Sequence, residues 1–175
     1  MTVEIQKRSP FRLVLIICIA LVLVAACWIG ATLALSGGMM FTGKRPTNIG
    51  VQSGQLAPCR KTPNCVNSQS QDALNKIEPL SYNGSATEAM ANLKTVIQNL
   101  ERTKIITETQ NYLYVEFTSK VMGFVDDVEF LLDDNSQVIH VRSASRLGKS
   151  DLGVNRQRIE TIRAKLNELK SNVKA

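Results

Sequence analysis

The sequence predicts an α+β protein: a two-layer sandwich in which a four-stranded antiparallel meander is covered on one face by two helices, with one N-terminal transmembrane helix ahead of it. Three observations carry this prediction. An uncharged apolar run of 23 residues, Leu13 to Leu35, is followed at once by Ser36-Gly37-Gly38. Two later segments repeat apolar residues at three- and four-residue steps, the mark of a helix with one buried face. Between them lie four short segments with apolar residues on alternate positions, the period of a half-buried strand.

The apolar run comes first. As a helix it would reach about 34 Å, enough to cross a hydrocarbon core of about 30 Å with some tilt. Lys7, Arg8 and Arg12 precede it and Lys44 and Arg45 follow it, a slight excess of positive charge that favours keeping the N-terminal side in the cytoplasm. The expected organisation is a cytoplasmic tail over 1–12, a span over 13–35, a tether over 36–55 and an extracytoplasmic or periplasmic domain over 56–175. Two readings compete with a permanent anchor. Ala34-Leu35-Ser36 fits a cleaved secretory signal, although signal cores usually run about 7 to 15 residues. Val24-Ala25-Ala26-Cys27 fits a lipoprotein signal, although apolar residues continue beyond Cys27 where a polar tether is expected. Span length favours the uncleaved anchor, and all three readings put the domain outside the cytoplasm.

Within the outer domain, Asn83-Gly84 marks a turn, and Ser85 with Glu88 makes a capping box for a helix from Ala86 to about Arg102. Ala86, Ala89, Met90, Leu93, Val96, Ile97 and Leu100 form its apolar stripe. Strands are expected at Ile105–Glu108, Tyr112–Thr118, Asp127–Leu132 and Val138–Ser145. Leu113, Val115, Phe117, Val128, Phe130, Leu132, Ile139 and Val141 share one parity and make the core face. Tyr112, Tyr114, Glu116, Asp127, Glu129, His140 and Arg142 share the other, which reads as a solvated polar face. A second helix over 153–171 brings Ile159, Ile162, Leu166 and Leu169 to the same core.

Charge is unevenly spread. The chain carries net +6, and from Arg142 onward there are nine basic and three acidic residues. The basic residues lack the interleaved aromatics of a nucleic-acid platform, so nucleic acid is not an expected partner. Cys18 and Cys27 fall in the span. Cys59 and Cys65 bracket a short proline-bearing loop in a compartment expected to be oxidising, which favours a disulfide. His140 is the only histidine, so a zinc site lacks ligands, and neither a metal nor a cofactor is expected.

Chemistry, if any, concentrates at two places. A regular hairpin closed by residues 133–136 would set Asp127 opposite Arg142 and Glu129 opposite His140, either as cross-strand charge pairs or as part of a shallow recognition site. A Glu129–His140 acid–base dyad is conceivable but lacks a nucleophile, since Ser143 and Ser145 have the opposite parity. The run from Arg142 to Arg156 is dense in basic residues and glycines, a strand-to-helix turn of the kind that binds anions. Gly148-Lys149-Ser150 preserves only the tail of a P-loop, and Asp151 reads equally as a helix N-cap. Val121, Met122, Phe124 and Val125 make an apolar loop, either satellite core or, if exposed, a lipid or partner contact.

Pro58-Cys59 with Pro63-Asn64-Cys65-Val66, the stretch Asp126-Asp127-Val128-Glu129-Phe130, and Arg142-Ser143-Ala144-Ser145-Arg146-Leu147-Gly148 running into Asp151, Asn155 and Arg156 together resemble the domain-of-unknown-function family 1499. The resemblance covers roughly Leu56 to Leu169. It supplies no activity, but implies that these three stretches belong to one design and meet in space. The reading that follows is a non-catalytic, membrane-anchored accessory or binding module of the cell envelope. Asp127, Glu129, Arg142, Arg146, Asp151, Asn155 and Arg156 would form a site for an anionic ligand, a lipid headgroup or an acidic protein partner. The alternatives are a hydrolase using Asp126, Asp127 and Glu129, with or without a metal, and a structural envelope protein.

Overall fold

The computed structural model describes residues 10–35 and 41–172. The first compact unit contains helix α1, Pro10–Leu35, 26 residues with Arg12 their one charge, long and apolar enough to cross a membrane. Residues 1–9, 36–40 and 173–175 lie outside the description, including most of the expected cytoplasmic tail and the first five residues of the expected tether.

The second unit is the α+β sandwich. Its strands are β1 (Val51–Gln52), β2 (Gln55–Leu56), β3 (Cys65–Asn67), β4 (Leu80–Ser81), β5 (Thr103–Glu108), β6 (Tyr112–Thr118), β7 (Val125–Asp133) and β8 (Val138–Ser145). Its helices are α2 (Ala86–Gln98) and α3 (Val154–Asn172). The four central strands form the antiparallel meander in the order β8-β7-β6-β5. Leu113, Val115, Val128, Phe130, Ile139 and Val141 meet Leu93, Val96 and Ile97 of α2 and Ile159, Ile162 and Leu166 of α3 in one core. The alternation of strand side chains and the helical stripes dictate this layer.

The structure differs from the expectation in four respects. The sheet has six strands, because β3 and β4 both lie along β8. Two- and three-residue strands leave no periodic signal to read. Helix α2 begins where the Ser85 cap places it, with Ser85 Oγ accepting the Glu88 N–H, but ends at Gln98. Asn99 caps it, and Arg102 takes a left-handed backbone (φ 56°) that turns the chain into β5.

The third difference is register. Asp133 pairs with Val138 and residues 134–137 form the turn, so Glu129 faces Arg142, Asp127 faces Ala144, and His140 faces Leu131. Asp133 accepts the N–H groups of Asn135 and Ser136, and Gln137 sits at φ 51°, which moves the turn one residue along. The shift keeps every side chain on its expected face and changes its partner.

The fourth concerns the segment read as a tether. Residues 41–57 run across the supposedly solvated face of the sheet, where Ile49 and Leu56 pack with Ile106, Tyr112, Tyr114 and Leu131. A bulge between Ile105 and Thr107 turns Ile106 to this side. Glycines and a proline suit a strap that must follow a sheet surface closely as well as they suit a free linker, and composition does not distinguish the two.

Candidate functional site

Under the strap the polar side chains of β6, β7 and β8 are buried. Glu129 is fully buried and Asp127 and Tyr114 nearly so. A carboxylate in such a place must be fully hydrogen-bonded, and each one is. Glu129 accepts from Arg142 Nη1 at 2.9 Å, from the Tyr112 hydroxyl at 2.8 Å and from the Gly50 N–H of the strap at 2.8 Å.

Two residues along β7, Asp127 accepts from the Tyr114 hydroxyl at 2.7 Å and from Arg146, whose Nε and Nη2 engage it at 2.6–3.1 Å. Arg146 Nη2 also pairs with Glu116, which holds Arg45 of the strap through its Nε at 2.8 Å. Burial pushes the Tyr112 and Tyr114 hydroxyls well above their ordinary range, reinforced by Glu129 and Asp127 respectively, so both remain donors. Burial also pushes Glu116 up, but hydrogen bonds and charges from Arg146 and Arg45 outweigh it and hold the carboxyl below its ordinary value. The hydrogen bond to Asp127 raises Arg146, against the cost of its own burial.

A second polar knot joins the cysteine loop to the start of α3. Asn155 is fully buried, and its Nδ2 donates to the Asn64 carbonyl, Ser145 Oγ and Asp151 Oδ2 at 2.8–3.1 Å. Its Oδ1 accepts from Ser143 Oγ at 2.5 Å and from Arg158 Nη1 at 2.6 Å. Asp151 is the cap, accepting the Gly153 and Asn155 N–H groups. Asn64 bonds the Gly148 carbonyl at 2.7 Å, and Asn75 bonds the carbonyls of Thr62 and Cys65. The expected disulfide between Cys59 and Cys65 closes the loop, with Cα atoms 5.7 Å apart. The cysteine loop, the start of β7 and the Arg142–Asn155 stretch thus meet in space.

A cleft of about 270 Å³ opens between the strap, the cysteine loop and the β8–α3 turn. Arg142 and Arg146 line it from the sheet, Arg60 and Lys149 from the rim, with Asn48 and Asn64 between them. In the network beneath, Arg45, Arg142 and Arg146 balance Glu116, Asp127 and Glu129. Arg60 and Lys149, which form no ion pair among the described residues, therefore leave the mouth positive. Arg142 Nε is buried and has no hydrogen-bond partner, the only such side-chain atom among the described residues. A buried donor left unpaired costs about 1–3 kcal/mol, and this one belongs to a residue that lines the cleft.

Of the residues singled out in the sequence, Asp127, Arg142 and Arg146 line this cleft, Glu129 lies beneath it on Arg142, and Asp151 and Asn155 buttress its wall. Arg156 does not join them: it is exposed and donates to the Lys76 carbonyl. The Glu129–His140 dyad is absent, because the register sends His140 to Ser68 Oγ at 3.2 Å and Asp133 at 3.8 Å. Ser68 Oγ in turn accepts the Val141 N–H. Asp126 and Asp127 face opposite sides of the sheet, Asp126 pairing at 2.5 Å with Arg158, whose guanidinium lies over the Phe117 ring. The three carboxylates of the hydrolase reading are thus each held by a different arginine and do not converge.

Sequence reading missed Arg45, Arg60, Glu116 and Arg158 as parts of these assemblies, and named Asn64 and Lys149 only as members of longer stretches. Asn64 beside a cysteine was the one available signal, since a buried loop needs side chains that bond its carbonyls.

These features define a class: an α+β sandwich bearing an apolar N-terminal helix, with a disulfide loop locked over a buried arginine–carboxylate network. The profile of the family described as "Protein of unknown function (DUF1499)" matches residues 55–166, and the chain belongs to that family. The matched stretch contains the disulfide loop and all seven singled-out polar residues, and leaves most of the strap outside it. No curated protein matches the chain in a sequence search.

Proposed function

We propose that this protein is a non-catalytic binding module of the cell envelope that takes an anionic ligand in the cleft between the disulfide loop and the β8–α3 turn. The observation that carries the reading is a cleft lined by Arg142 and Arg146, whose rim residues Arg60 and Lys149 have no ion-pair partner among the described residues. An anion there would give Arg60 and Lys149 a counter-charge beside a network that is otherwise balanced. The arginines are preorganised by their carboxylates, so binding immobilises no long side chain at the cleft floor.

Helix α1 acts as an uncleaved anchor with its N-terminus in the cytoplasm, and the domain stands on the outer side. The Cys59–Cys65 disulfide supports that side, because disulfides persist in oxidising compartments. Intact mass of membrane-extracted protein, with and without reduction before alkylation, tests the placement. An uncut chain with two thiols appearing only on reduction is expected. A chain beginning at lipidated Cys27, or Cys59 and Cys65 alkylated without reduction, would refute it.

Calorimetric titration of the full chain in amphipol with inorganic phosphate and glycerol 3-phosphate tests the cleft. Saturable binding is expected, weakened about tenfold by Lys149→Glu, an exposed change that leaves the fold intact. Binding indifferent to Lys149→Glu and Arg60→Glu would put the anion elsewhere.

A further inference from the structure

We infer that the ligand is an anionic amphiphile, a phospholipid whose phosphate sits in the cationic cleft and whose acyl chain lies in an apolar groove on the other side of the same ridge. The inference rests on the anion-binding reading above and names the ligand's chemical class.

The groove has a volume of about 290 Å³ and is walled by Phe124, Val125, Leu147, Leu152 and Val154. Its wall is shared with the cleft: Ser145 and Gly148 line both. A ligand bound in one is therefore a residue's width from the other. Leu152 is 96% exposed and is held at φ 55°, a backbone conformation leucine rarely adopts, with the Gly153 N–H tied to Asp151 Oδ1. A leucine kept in an unfavourable conformation with its side chain in water is not explained by packing. Val121 and Met122, at the tip of the β6–β7 loop, are exposed as well, and the loop is closed by bonds between Ser119 and Phe124, whose ring stacks on Phe41. Exposed apolar side chains gathered beside a groove mark a binding site or a lipid contact.

Charge selects the occupant. The polar groups in the groove are already satisfied, Asp126 by Arg158 and Asp151 by the first turn of α3. The groove thus offers apolar contact alone, while exposed Lys120 flanks its loop and exposed Lys149 stands at the cleft. An acidic peptide would use the lysines but leave the groove empty, and a neutral apolar molecule would leave Arg60 and Lys149 without a counter-charge. A phosphate carrying an acyl chain uses both.

The test uses the full chain in amphipol, titrated calorimetrically with dihexanoyl phosphatidylglycerol, dihexanoyl phosphatidylcholine and glycerol 3-phosphate, with heats from protein-free amphipol subtracted. The anionic lipid should bind at least about tenfold more tightly than glycerol 3-phosphate, the gain expected from burying two or so methylenes. The double variant Leu147→Asn/Leu152→Asn should abolish that advantage and leave glycerol 3-phosphate binding unchanged. Equal affinity for the lipid and for glycerol 3-phosphate would overturn the lipid inference and leave the anion cleft standing. Equal affinity for the two lipids would overturn the requirement for net negative charge, lipid affinity unchanged by Lys149→Glu would overturn the role of the cleft, and no binding of any probe would overturn both readings.

Discussion

Arg146 shows how much one residue of this network carries. It is nearly buried and satisfies Asp127 and Glu116 together, whereas Arg45, on the same Glu116, is half-exposed. Removing one partner of a buried pair strands the other charge. Arg146→Met is therefore expected to cost about 3–5 kcal/mol in denaturant unfolding, and Arg45→Met measurably less. Glu116 supplies a pH signature. Its carboxyl is held below the ordinary value of 4.5, so the stability it contributes is present above that pH and is lost as pH falls through the lower, folded value. Unfolding midpoints followed from about pH 5 to about pH 3 should fall less steeply in Glu116→Gln than in the parent chain. These partners could not be read from the sequence, where Glu116 was one of several polar residues on a face and Arg45 belonged to a presumed linker. Ion pairs between distant residues carry no local periodicity.

Among the elements, the disulfide loop and the helix caps have separable contributions. A ring as small as that closed by Cys59 and Cys65 stabilises by about 2 kcal/mol in the chain-entropy account, and Asn64 and Asn75 hold the loop independently of it. Reduction should therefore lower the unfolding free energy by about 2 kcal/mol without unfolding the domain, as read by near-ultraviolet circular dichroism with and without reductant. Asn155 does more. Bonded to four side chains and to the Asn64 carbonyl, it joins α3 to β8 and to the cysteine loop, and Asn155→Leu leaves several buried groups unpaired. A loss of several kcal/mol is expected, larger than that from reduction. The disulfide was legible because two cysteines at that spacing have few alternatives. Asn155 was legible only as a member of a polar run, since nothing local distinguishes a buried asparagine from a solvated one.

For the molecule as a whole, the strap makes the sheet two-sided. Helices cover one face and residues 41–57 the other, so deleting 41–54 from the chain should expose Glu129, Tyr112 and Tyr114 and make the domain far more sensitive to limited proteolysis at 25 °C. A tether in the ordinary sense could be deleted without that effect. The sequence by itself determined the apolar helix, the two helical stripes, the meander and its core parity, because each follows from a short-range period of 3.6 or 2 that the chain displays directly. Only the tertiary structure decided which carboxylate meets which arginine. Parity survives a two-residue change in register, and the turn geometry that sets the register depends on the side chain of Asp133 and the backbone of Gln137. The same holds for the strap and the cleft, whose residues come from segments far apart in the chain and gain their meaning from what they cover.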